Sequence, residues 1–150
     1  MVTLNKVEYL ICQTQGKIFK YAVKNGYDMQ DFAEKFLSSE FCEEAFDTIY
    51  SRYQFDSPME SADFFMPELR EKLKLSPVKQ DKEEAAYIGF IYRYLYFVTK
   101  IKSKDLIQKV PFEEVQRHFI NSNLRTEDFV VEDICNDYGL PIVGELEICF

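Results

Sequence analysis

From Ala85 to Ile101 the chain reads AAYIGFIYRYLYFVTKI, with five tyrosine or phenylalanine rings between Phe90 and Phe97. A helix that is apolar on nearly every side has no face to offer water, so it must be wrapped by other helices of its chain or by a partner. Its 17 residues approach the ~20 that span a bilayer, but Arg93 stands at its centre and Lys100 near its end. Burial in protein is therefore expected. The expected fold is all-α: one compact multi-helix bundle over residues 1–150, of about seven or eight helices, with this aromatic helix at its centre.

Outward from that stretch, Asp81 and Glu84 form a box-like helix start, and Lys100 and Lys102 suit the negative end of the helix dipole. Upstream, Val7, Leu10, Ile11, Thr14, Ile18, Tyr21 and Ala22 recur at steps of three and four, predicting a long helix over Thr3 to Lys24 that Asn25-Gly26 stops. Asp28 caps a short helix holding Phe32, Ala33, Phe36 and Leu37. Ser38 or Ser39 caps the next, whose apolar series of Cys42, Ala45, Phe46, Ile49, Tyr50 and Tyr53 predicts a helix as far as Tyr53. Ser57-Pro58-Met59-Glu60 is the strongest helix start in the chain, and Pro67 is expected to interrupt the helix it opens.

Pro77 marks a turn in the connector Leu75–Gln80. Downstream, the pattern predicts short helices over Lys104–Lys109, Pro111–Asn121 and Glu127–Tyr138, the last capped by Thr126 and ended by Gly139-Leu140-Pro141. The final ten residues, PIVGELEICF, predict a short extended C-terminal tail. The halves 3–75 and 81–138 share an outline, a long helix succeeded by shorter ones. A shift of about 78 residues lays Tyr87 on Tyr9, Phe97 on Phe19 and Lys102 on Lys24. That is a possible pseudo-repeat, and one that helical patterns also produce by chance.

Composition narrows the class. An apolar content of 47% supplies a core without metal or disulfide staples, and 24 Phe and Tyr with no Trp make rings the main filling. With 26 acids against 18 bases, the net charge of −8 argues against binding a nucleic-acid backbone and permits a basic protein partner. Cys12, Cys42, Cys135 and Cys149 are scattered with no CxxC pair, so neither a disulfide framework nor a zinc site is indicated. The start MVTLNKVEYL shows no export signal, and a cytoplasmic setting with reduced thiols is expected.

Chemistry-bearing patterns are sparse. The sole histidine, His118, stands four residues after Glu114, but a metal site needs further ligands and a nucleophilic centre needs more than one such group. The carboxylates Glu43-Glu44, Glu83-Glu84, Glu113-Glu114 and Glu127-Asp128 fall in first turns of expected helices, where the dipole favours them. No glycine pattern matches a phosphate-binding loop. The basic residues of Lys100–Lys109 read as a solvated helix end. Catalytic, cofactor-binding and metal residues are thus expected to number none.

The run KYAVKNGYDMQDFAEKFLSSEFCEEAFDTIY, with SADFF after it, resembles small all-helical bacterial domains of unknown function, some of them encoded beside predicted toxins. The likeness rests on a long helix ending in Asn-Gly, a short helix with paired Phe, and a third with spaced Tyr and Ile. It implies an antitoxin-like or accessory protein and carries no functional residues across.

The expected function is a non-enzymatic, cytoplasmic bacterial protein-interaction module, with no nucleic-acid or membrane partner. Where the aromatic helix is exposed, Tyr92, Tyr94 and Tyr96 are the partner-binding residues, since tyrosine is a large, stiff, amphipathic anchor. The competing reading makes them core. Two other functions stay open: a small-ligand-binding helical protein or enzyme with a pocket between helices, and an architectural homodimer.

Overall fold

The computed structural model describes residues 2–143, which fold into eight α-helices. They are α1 (Lys6–Lys24), α2 (Met29–Leu37), α3 (Glu40–Ala45), α4 (Pro58–Leu69), α5 (Lys82–Thr99), α6 (Ser103–Lys109), α7 (Phe112–Phe119) and α8 (Glu127–Tyr138). A single 3₁₀ turn, Arg52–Gln54, lies between α3 and α4. No strand occurs among the described residues, only an isolated bridge between Tyr27 and Leu75.

The aromatic stretch is α5, and it pairs antiparallel with α1. Lys20 meets Glu83 at one end, the Gln15 side chain donates to the Gly89 carbonyl in the middle, and the Tyr94 hydroxyl donates to the Val2 carbonyl at the other end. Two glycines permit this approach. A Cβ on Gly16 would stand 2.7 Å from the Ala86 carbonyl oxygen, and one on Gly89 would stand 2.8 Å from the Phe19 ring and 2.9 Å from the Gln15 oxygen. The remaining helices wrap this pair, so the ring-rich segment is sheltered as its composition requires. Beside it, Phe32 and Phe36 of α2 pack against Phe19 of α1 and Phe65 of α4, with centroids 5.3 to 6.1 Å apart. Each such ring, fully buried, contributes about 1.5–3 kcal/mol.

Local capping matches the sequence at four helix starts, while Thr126, expected to cap α8, makes no side-chain hydrogen bond there. Asn5 and Glu8 form a reciprocal box, which starts α1 at Lys6 rather than at Thr3. Asp28, Ser39, Ser57 and Asp81 each accept a first-turn N–H. Gly26 and Gly139 take positive φ after α1 and α8. The connector after α4 is stitched to the α1–α2 turn: Gln80 donates to the Tyr27 carbonyl and accepts from the Met29 N–H.

Two expectations are corrected. Pro67 does not interrupt α4, which continues to Leu69. Pro67 and Asp63, the residue four earlier, are both solvent-exposed, so water can serve the carbonyl that proline leaves without a donor. The helix expected to run from Ser39 to Tyr53 ends at Ala45. There the chain turns so that the Phe46 carbonyl and the Asp47 carboxylate reach Arg93 of α5. The Ser51 hydroxyl then donates to the Ala45 carbonyl and the Gln54 amide to that of Thr48, serving backbone groups that the helix would otherwise have used. Of the expected tail, Val143 donates its N–H to the Val98 carbonyl, while residues 144–150, Cys149 among them, lie outside the described residues.

Candidate functional sites

The most concentrated polar chemistry surrounds Arg93, whose side chain is 0% exposed. All five of its N–H donors have a direction to point. Nε donates to Gln15 Oε1 at 2.9 Å; Nη1 donates to Asp47 Oδ1 at 2.7 Å and to the Phe46 carbonyl at 3.3 Å. Nη2 donates to Ser103 Oγ at 2.8 Å and to Cys42 Sγ at 3.3 Å. Asp47 is saturated in turn, accepting from the Ser103 hydroxyl at 2.6 Å and the Ser103 N–H at 2.8 Å. Burial pushes the Cys42 thiol up to about 12, so it stays neutral and unreactive. A cluster with every valence used and no solvent access has nothing left for a substrate. It ties α1, α3, α5 and α6 together.

The three tyrosines flank this arginine without forming one surface. Tyr92 is buried and donates to the Val110 carbonyl at 2.6 Å; Tyr94 is buried and donates to that of Val2. Burial raises both phenols. Tyr96 is half-buried, with its ring 4.7 Å from the Arg93 guanidinium carbon. Positions 92 and 94 lie about 200° apart around a helix, so they face opposite sides of the bundle. Tyr92 and Tyr94 are core residues here and present no face to a partner.

His118 is buried on α7. Its Nδ1 lies 3.4 Å from Arg125 Nη1, which assigns the proton to Nε2, and Nε2 has no hydrogen-bond partner. Burial first, then the nearby Arg117 and Arg125, lowers its pKa. Glu114 Oε1 stands 3.9 Å away, beyond hydrogen-bond reach, and is held by Arg117. None of the described cavities includes His118. Among the described residues no group of three or more His, Cys, Asp or Glu could hold a metal ion, and no helix is long and apolar enough to cross a membrane.

Exposed apolar surface concentrates where α3 stopped short. Ile49 is 100% exposed, Tyr50 73% and Met59 72%, with Phe55 and Phe64 about half exposed. Tyr50 packs on Phe55 at 6.3 Å and Tyr53 on Phe64 at 5.1 Å, while Arg52 lies over both Tyr53 and Phe64. The surrounding charge is one-sided. From Phe36 to Leu69 the acids are Glu40, Glu43, Glu44, Asp47, Asp56, Glu60, Asp63 and Glu68, and the only base is Arg52. Asp47 is neutralised by the buried Arg93 and Glu43 by Lys102 and Lys104, which leaves six acids against Arg52. Sequence reading missed this surface because helical spacing assigned Ile49, Tyr50 and Tyr53 to a buried face. The acid surplus was the available signal.

A second feature is a groove of 470 Å³ along the α1–α5 seam. The Lys20–Glu83 ion pair, at 2.9 Å, closes one end, and the Tyr9–Phe90 ring pair, at 5.2 Å, closes the other. Gly16 and Ala86 form its floor, Tyr87 and Phe119 a ring wall, and Lys17 and Glu127 its remaining charges. No protein-family model, no curated protein and no solved structure matches this chain, so the likeness to bacterial helical domains stays one of sequence pattern.

Proposed function

We propose that this chain is a non-enzymatic, cytoplasmic bacterial protein-interaction module that acts as the antitoxin-like or regulatory partner of another protein. Its docking face is the surface from Ile49 to Phe64. One observation carries the reading: a cluster of exposed rings in a segment where six acids, Glu40, Glu44, Asp56, Glu60, Asp63 and Glu68, stand outside the Asp47–Arg93 and Glu43–Lys102 ion pairs, against the one base Arg52. Such a surface suits a partner with an apolar centre and a basic rim. The acids steer the encounter and the rings supply the buried area. Self-association through the same face is disfavoured, because two copies would bring two acidic segments together. The saturated Arg93 cluster favours this reading over the enzymatic one.

The test is photocrosslinking in the native host, with a photoreactive residue replacing Phe55 or, as an exposed control outside the acidic segment, Lys109. Crosslinks from position 55 to a basic protein, weakened about tenfold or more by Tyr50→Ala with Phe64→Ala and by added salt, support the proposal. Crosslinks only from position 109, or capture indifferent to the double substitution, overturn it. A crosslink between two copies of the chain, with a dimer by light scattering, replaces it with the homodimer.

A further inference from the structure

We propose that the α1–α5 groove binds a small zwitterion with a flat apolar body, the simplest being a free aromatic α-amino acid. This site is independent of the docking face and gives the ligand-binding reading a location.

The charge arrangement selects the ligand's charge. Lys20 and Glu83 neutralise one another at one end of the groove. That leaves one positive group, Lys17 on α1, and one negative group, Glu127 at the start of α8, neither paired among the described residues. A singly charged ligand would pair with one and leave the other to solvent. A molecule carrying both an ammonium and a carboxylate satisfies both: its carboxylate meets Lys17 and its ammonium meets Glu127.

The shape selects the body. Gly16 and Ala86 place almost no side chain on the floor, because the two backbones touch there. Ring pairs stand on either side: Tyr9 with Phe90 at 5.2 Å, and Tyr87 with Phe119 at 5.5 Å, both edge-to-face. A planar ring between them extends the edge-to-face packing that aromatic groups favour. The volume of 470 Å³ falls in the range of small-molecule sites, roughly 300–1,000 Å³. Tyr87 lines the groove, while its hydroxyl is shut off from solvent without a hydrogen-bond partner.

The experiment titrates L-tryptophan, tryptamine and indole-3-propionate into the ¹⁵N-labelled full chain and tracks amide shifts. L-Tryptophan is expected to shift Gly16, Lys17, Ala86 and Phe119 saturably, with the two singly charged analogues at least about tenfold weaker. Lys17→Gln and Glu127→Gln should each weaken L-tryptophan by a similar factor, with thermal unfolding unchanged as the check on folding. The proposal fails if L-tryptophan gives no saturable shift at millimolar concentration, or if its shifts cluster elsewhere. It fails equally if either analogue binds as well as the amino acid, or if both substitutions leave binding unchanged.

Discussion

Two ring-rich regions of this chain, each with one arginine among its aromatics, have opposite fates. In α5, Arg93 is enclosed, its guanidinium near Phe46 and Tyr96 and its donors spread over five partners. In the segment after α3, Arg52 lies over Tyr53 and Phe64 in the open, with the Tyr53 hydroxyl at 3.4 Å as its side-chain partner. Ring density alone does not decide burial. What decides it is whether the polar group among the rings can be satisfied in the dark, and Arg93 can only because Asp47 is drawn to it. The two regions are linked through that pull: by ending α3 at Ala45, the turn to Asp47 puts Ile49, Tyr50 and Phe55 on the surface.

The most severe way to break this contrast is Asp47→Ala, which strands a buried guanidinium. Equilibrium denaturation should show a loss of about 3–5 kcal/mol. Should the loss fall under about 1 kcal/mol, the Arg93 cluster is not what holds α3 and α5 together. Next comes Gly16→Ala, which sets a methyl against the Ala86 carbonyl at a site where backbone, not a movable side chain, must yield. An overpacking cost of about 1–3 kcal/mol is expected in the same assay.

A smaller effect separates His118 from Arg93, since His118 is a buried polar group left partly unsatisfied. Its folded-state pKa lies below the ordinary value of about 6.5, so the unfolded chain takes up the proton first. Stability should therefore decline as pH falls below about 6.5, down to the depressed folded-state pKa, and the slope in that window should shrink in His118→Gln. Because the chain has one histidine, the imidazole NMR signal reports the site directly. Least of all, Tyr50→Ser should move stability by no more than about 0.5 kcal/mol, because its ring stays mostly in water and touches only the half-exposed Phe55 ring. A large loss there would make the exposed cluster part of the core and remove the proposed docking face.

Helix starts were legible because each is written in a few adjacent residues: Asp28, Ser39, Ser57 and Asp81 cap where side-chain chemistry says they should. The stops at Asn25-Gly26 and Gly139 were legible for the same reason. The end of α3 was not, since it answers to an arginine 46 residues away in sequence. Nor was the division of the tyrosines, although their spacing of two already places Tyr94 opposite Tyr92 on a helix. The groove was beyond reach, because it exists only where Gly16 of one helix meets Ala86 of another.

By itself the sequence determined that this is a helical protein whose aromatic segment must be enclosed, because apolar periodicity and capping are local and a helix apolar all round has nowhere else to go. Tertiary structure alone decided which rings face water, which histidine nitrogen goes unpaired and where a cavity opens. Those outcomes depend on pairings between residues far apart in the chain, and the cost of an unsatisfied buried charge, not local propensity, selects among them.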